Sequence, residues 1–224
     1  MANLADLFDS RAARALDAQA SALAGDGGWG LMAQAGQAAW QSLLQHWPQA
    51  RRIGVVVGSG NNGGDGYVLA CHALQAGRQV QLIALPGSPP STALAQRAAA
   101  DFRSAGGTVT DFNGELAQAD LWVDALFGLG FSRAPEGAAL ALIEVLNAQQ
   151  APVLALDVPS GVDADHGCVP GAAVRAALTV QFIVAHRGLY TGDALEYTGR
   201  RHLAPLTLAD AAWQGVVAAA ECWT

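Results

Sequence analysis

A chain of 224 residues with 52% hydrophobic and only 14% charged side chains can build one large buried core, as a single domain or a domain with an appended arm. Its formal charge of −7 argues against a nucleic-acid or anionic-membrane surface, which needs clustered basic residues, but leaves an anionic small ligand open. All 12 Lys and Arg positions are arginine, which excludes Schiff-base chemistry and a lysine-bearing phosphate loop.

The first residues, MANLADLFDSRAARALD, carry acids and lack the apolar centre of a signal peptide. The periodicity predicts helices from Leu4 to about Ala22 and from Leu31 to about His46, split by AGDGG and closed by Pro48. An apolar strand through Val55–Val57 follows, of the kind buried on both faces of a parallel sheet. It leads through GSGNNGGDG (58–66) into a helix that begins near Asp65 and stops at Gly77. Strand 79–85, helix 91–106 and a short strand in GTVTDF come next. LWVDALFG (strand and loop), EGAALALIEVLNAQ (helix), PVLALDVPSG (strand and loop) and ALTVQFIVA (strand) complete the run. From about Leu206 the tail is Ala-rich, with no clear element.

Strands alternating with helices of about 10 to 15 residues predict βαβ units around a parallel sheet. One domain over residues 1–224 is expected, with a helical arm over about 1–48 and an α/β core over about 52–205. No stretch approaches the roughly 18 apolar residues of a bilayer span. Cys71, Cys168 and Cys222 lack the paired spacing of a zinc site and suit a reducing compartment, so a soluble, cytoplasmic protein is expected.

In doubly wound sheets ligands sit beyond the carboxyl ends of the strands. Asn61, Asn62 and Asp65, then Asp124, then Asp157 and Ser160, all fall at or just past predicted strand ends. Three loops distant in sequence are therefore expected to converge. GSGNNG satisfies the dinucleotide pattern G-x-G-x-x-G between a strand and a helix, and Gly58, Gly60 and Gly63 permit close backbone approach to phosphate. The second strand, however, ends LIALPGSPP without the acid that binds a ribose hydroxyl, which disfavours an ordinary NAD-dependent dehydrogenase. Asp65 alone has a plainer reading as a helix N-cap, and the Asn pair one as turn formers. His46, His72 and His202 have no partner at metal or triad spacing, His166 reads as loop surface, and no G-x-S-x-G surrounds Ser160.

Three stretches together resemble the YjeF N-terminal family of NAD(P)H-hydrate epimerases: GSGNNGGDGYVLA (58–70), VDALFGLGFSR (123–133) and ALDVPSGVDADHG (155–167). LMAQAG (31–36) and FIVAHRGLYTGDALEYTGR (182–200) match more weakly. The resemblance implies a three-layer α/β/α, Rossmann-like fold with a mostly parallel sheet. It implies epimerisation of the R and S forms of NADH or NADPH hydrated at nicotinamide C6. A separate ATP- or ADP-dependent dehydratase then restores the S form; the chain stops at Thr224, so dehydration is not expected of it. A homodimer is also implied. Carried over by position, Asn61, Asn62, Gly63, Gly64 and Asp65 resemble the substrate loop, and Gly128, Leu129, Gly130, Phe131, Ser132, Arg133 and Ala134 a second dinucleotide contact. Asp157 resembles the acidic residue at the substrate. Asn62, Asp124 and Ser160 resemble the ligands of a potassium ion, and one carboxylate with neutral oxygens is a cage of low charge that suits such an ion.

Two positions depart from the family pattern: MAQAG replaces a bulkier polar pair at Ala33 and Gln34, and His186 stands where a basic residue is common, leaving Arg187 as a possible substitute. Inversion at C6 is expected to proceed by loss of the hydroxyl, with Asp157 as proton donor and acceptor, or by ring opening and reclosure. The rival reading is a non-catalytic nucleotide-binding or scaffold module of the same fold. Retention of Asn62, Asp65, Asp124, Asp157 and Ser160 favours catalysis.

Overall fold

A computed structural model describes residues 4–223 of the chain. Residues 1–3 of the expected arm and Thr224 at the expected domain end lie outside the described residues. Strands β2 (Arg52–Val57), β3 (Gln79–Ala84), β4 (Val109–Asp111), β5 (Leu121–Ala125), β6 (Val153–Leu156), β7 (Leu178–Phe182) and β9 (Arg200–Ala204) form a seven-stranded sheet in the order β4-β3-β2-β5-β6-β7-β9. Every pairing in it is parallel. The four central strands are apolar runs because both faces are covered, and the period of two sorts their side chains between two cores.

Ile53, Val55, Val57, Leu121 and Val123 face one core with helices α2 (Trp29–His46), α3 (Asn61–Gln75) and α4 (Ala93–Ser104). Val56, Trp122 and Val153 face the other, where α5 (Gly137–Asn147) supplies Leu142, Ile143 and Leu146. The result is the expected three-layer α/β/α architecture. Helix positions also follow local chemistry: Thr92 caps α4 by accepting from Ala95 N–H at 3.1 Å, and Gly77 ends α3 in the left-handed region at φ 72°.

The N-terminal helix does not run from Leu4 to Ala22. Leu4–Phe8 is strand β1, and helix α1 spans Ser10–Ala24 behind Asp9, whose side chain accepts from Ala12 N–H. In a small separate sheet, β1 pairs in parallel with β8 (Ala185–His186) and antiparallel with β10 (Ala220–Trp223). These partners come from the other end of the chain, so local periodicity carries no trace of them. The Ala-rich tail thus acquires a strand, and Leu16, Ala20, Leu31 and Ala212 close a further core beneath α1. Helix α3 likewise starts at Asn61, not near Asp65, with Gly60 as its N-cap. Among the described residues no helix is long and apolar enough to cross a membrane.

Gly54 of β2 lies opposite Trp122 of β5, and a Cβ there would overlap the indole ring. Substituting Gly54→Val is therefore expected to cost about 1–3 kcal/mol through overpacking. Chemical denaturation reads this as a lower midpoint at unchanged slope.

Candidate functional site

The chain order reverses direction between β2 and β5: from β2 it proceeds outward to β3 and β4, and from β5 the other way. A cavity of about 570 Å³ opens at this switch point, beyond the carboxyl ends of the strands. Four strand ends supply its walls: Ser59, Gly60, Asn61, Asn62 and Asp65 after β2, Leu126 to Phe131 after β5, Asp157 after β6, and Phe182, Ile183 and His186 at and beyond the end of β7. Helix α1 adds Arg14 and Asp17 on one side.

The glycine loop holds its shape by backbone contact. A Cβ on Gly58 would overlap the Leu126 carbonyl, and one on Gly63 the Gly58 carbonyl. Both glycines therefore serve loop packing, while Gly60 alone faces open space. Gly64 packs beneath Met32, so neither Gly63 nor Gly64 lines the cavity, although Asn61, Asn62 and Asp65 do. The uncapped start of α3 leaves first-turn N–H groups for an anion. Asn61 is tied by Thr92 Oγ1, which donates to its Oδ1 at 2.6 Å. Of the second loop, Gly128, Leu129, Gly130 and Phe131 line the cavity, whereas Ser132, Arg133 and Ala134 lie outside it. Phe131 stacks on Phe127 with ring centroids 4.0 Å apart, and Arg14 Nη2 donates to Leu129 O at 2.8 Å.

Beneath the cavity floor, Asp124 is fully buried. Its carboxylate accepts from Ser160 N–H at 2.8 Å, from Ser160 Oγ at 2.7 Å and from Leu126 N–H at 3.2 Å. Burial nonetheless pushes its carboxyl up to about 6, against the pull of these bonds. Ser160 Oγ in turn accepts from Phe127 N–H at 2.9 Å, and Asn62 Nδ2 donates to Phe127 O at 2.8 Å. Asn62 Oδ1, pinned by that bond, is buried without any hydrogen-bond partner among the described residues. Asn62, Asp124 and Ser160 are thus brought together around the Phe127 peptide, with one buried oxygen left over. Among the described residues no group of three His, Cys, Asp or Glu side chains can hold a metal.

Asp157 sits at φ 65°, a left-handed conformation that Asp tolerates better than most residues. The turn aims its carboxylate away from the sheet. Oδ1 meets His186 Nε2 at 2.7 Å, with His186 1% and Asp157 15% exposed. Oδ2 faces Gly128 and Asn62: a Cβ on Gly128 would lie 3.3 Å from both Asp157 Oδ2 and Asn62 Cβ. His186 is thus a site residue, not merely a departure from a pattern. Its signal was its place after the last long strand, a fourth strand end. Arg187 takes no part; its Nε donates to Asp165 O. His166 is on the surface, with its side chain 71% exposed.

Asp65 does not cap α3; it projects from the second turn into the cavity. Desolvation, then the negative charge of Asp157 and then that of Asp17, hold its carboxyl well above the ordinary range. Asp17 is raised in the same way by burial and by Asp157.

The family model described as YjeF-related protein N-terminus matches residues 29–188. The NAD(P)H-hydrate epimerase of Limosilactobacillus fermentum is 41% identical over 172 residues, 76% of this chain and 82% of that protein. The bifunctional NAD(P)H-hydrate repair enzyme Nnr of Escherichia coli K12 is 41% identical over 179 residues, 80% of this chain and 35% of that protein. The corresponding bifunctional enzyme of Leishmania braziliensis is 40% identical over 183 residues, 80% of this chain and 33% of that protein. The chain therefore spans about a third of the length of these bifunctional relatives. A crystal structure of the yeast protein ynu0 superposes with a TM-score of 0.76 over 92% of this chain and 91% of that one, at 21% identity, a likeness of fold.

A proton bound more tightly by native Asp65 than by the unfolded chain makes stability fall as pH rises from the ordinary carboxylate range through the raised value. Asp65→Asn is expected to raise the thermal midpoint near pH ~8 by several degrees, since each kcal/mol is about 2–4 °C at this size, and to leave it unchanged near pH ~4. Calorimetry at the two pH values checks this.

Proposed function

This chain belongs to the family of YjeF-related N-terminal domains, and from that premise we propose that its cavity epimerises NAD(P)H hydrate at nicotinamide C6. The observation that carries the proposal is the meeting of three motif-bearing loops at one cavity, around a carboxylate with one oxygen held by His186 and the other beside Gly128. A dinucleotide fits such a place: the α3 N-terminus and Gly60 meet phosphate, the Phe131 ring offers a flat apolar face, and Asp157 meets the reacting ring. A scaffold module would have no need of these groups in register.

Asp157 carries the chemistry in this reading. Its Oδ2 gives a proton to the C6 hydroxyl as the C–O bond breaks and water leaves. The ring-nitrogen lone pair fills the gap, so the carbon becomes a planar iminium cation that the carboxylate stabilises. Water then adds to the other face and its proton returns to the carboxylate, leaving the enzyme unchanged. The loops after β2 and β5 wall the ring from bulk solvent, and burial pushes the Asp65 carboxyl in the same cavity toward its neutral form.

Potassium belongs to the same proposal. Asn62 Oδ1, the Phe127 carbonyl, Ser160 Oγ and Asp124 are the oxygens that would hold it, and the unpartnered Asn62 Oδ1 is the atom that asks for a cation. Four hard oxygens with a single negative charge fit a monovalent ion better than zinc or calcium. A bound ion would supply fixed positive charge tying three loops together. The product is material for an S-specific dehydratase, the partner that the family resemblance implies, and the bifunctional relatives are named for repair of NAD(P)H hydrate. The homodimer that the resemblance implies belongs to the same proposal.

Asp157→Asn, which keeps the shape and the left-handed backbone, is expected to lower R-to-S conversion by about 10²–10⁴-fold with the thermal midpoint preserved. The assay supplies R-NADPHX with an S-specific dehydratase and follows NADPH absorbance over the spontaneous rate. Turnover like that of the wild type removes Asp157 from the mechanism. Separately, potassium at ten times its Kd is expected to stabilise the wild-type chain by about 1.4 kcal/mol, or roughly 3–6 °C, and to leave Asn62→Ala unmoved. Thermal melts in potassium against choline buffer read both.

A further inference from the structure

We propose that His186 is the positioning residue that aims Asp157 at the substrate, the inner end of a buried polar chain running from Tyr190 through Gln181 to the cavity. The inference rests on the epimerase reading of the same site and extends it to residues with no motif of their own. Tyr190 Oη lies 3.2 Å from Gln181 Nε2, which donates to it. Gln181 Oε1 accepts from His186 N–H at 2.8 Å, and His186 Nε2 meets Asp157 Oδ1 at 2.7 Å. Gln181 is 0% and His186 1% exposed. At the outer end the Arg201 guanidinium covers the Tyr190 ring at 4.4 Å.

Such a chain is costly to keep in a core that apolar side chains would fill more cheaply. Its geometry shows what it does. Strand β7 ends at Phe182, and Ile183 then takes φ 68°, an unfavourable left-handed conformation for a β-branched residue. That turn brings His186 back against Asp157, itself at φ 65°. Two positive-φ residues on adjacent strand ends therefore set one hydrogen bond. The bond occupies Oδ1 and leaves Oδ2 directed to the space beside Gly128 and Asn62.

The tautomer follows from burial. His186 Nδ1 is buried without a partner among the described residues. The form with its hydrogen on Nε2 orphans only a lone pair, whereas the other form would orphan an N–H group. Nε2–H therefore donates to Oδ1, and the proton that moves in the reaction is the one on Oδ2. His186 touches Asp157, not the reacting carbon; it acts by fixing where the catalytic oxygen points. A misplacement of about 1 Å at such a group costs on the order of 10²-fold.

The test is a mutant cycle in the epimerase assay, with kcat and KM read separately. His186→Leu is expected to lower kcat about 10²-fold with KM within about twofold of wild type. His186→Gln keeps an amide donor and is expected to recover to within about tenfold of wild type. Asp157→Asn with His186→Leu is expected to be no slower than Asp157→Asn alone, since the two act as one unit. Wild-type kcat in His186→Leu, a loss carried by KM, or losses that multiply in the double variant would each overturn the proposal. Where His186→Leu fails to fold, the same cycle with His186→Gln decides it. A wild-type chain that does not accelerate epimerisation sinks the functional reading instead. The pairing is then judged by the 15N imidazole signals: an Nε2–H tautomer whose shifts move in Asp157→Asn supports it, and unmoved shifts overturn it.

Discussion

The site depends on how closely two backbones approach at the switch point of the sheet. Gly58 after β2 lies against the Leu126 carbonyl after β5, where any side chain on Gly58 would overlap that oxygen. Only this approach puts the Phe127 peptide between Asn62 and Ser160, so that its carbonyl accepts from one and its N–H donates to the other. Ser160 in turn fixes Asp124 by two hydrogen bonds. Loops from three strands are thereby locked in one register. Asp157, three residues before Ser160, stands at the lip of that assembly.

Charge is managed tightly within it. Asp17, Asp65 and Asp157 share the cavity, and Arg14 is the single arginine among its lining residues. Burial and mutual repulsion push Asp65 and Asp17 toward their neutral forms. Desolvation thus leaves the cavity less negative than its residue count suggests, which lowers the barrier to an anionic ligand. The start of α3 offers uncapped backbone N–H groups to an anion, a solution open to a chain without lysine.

Much of this was legible in the sequence because parallel strands buried on both faces read as unbroken apolar runs, and their ends carry residues that a core would not choose. Asn61, Asn62, Asp65, Asp124, Asp157 and Ser160 stood out for that reason, and the strand-end rule alone predicted that they converge. Strand β1 was illegible: its register is set by Ala185 on one side and Ala220 on the other, and LADLF reads locally as helix. The start of α3 was misplaced because two glycines and two asparagines in its first turn oppose helix by propensity, while packing beneath Met32 and against Gly58 compensates. His186 was visible only as a departure from a family pattern and as a residue just past the last long strand. Its partnership with Asp157 depends on a left-handed turn at Ile183 that no local signal announces.

The central claim is that the oxygen on C6 leaves and is replaced at a cavity whose acid is Asp157. Running R-to-S conversion in water enriched in 18O and weighing the product tests it most directly. The account predicts one solvent oxygen incorporated at C6 for each inversion the chain catalyses beyond the spontaneous rate. Catalysed inversion with the original oxygen retained would contradict it.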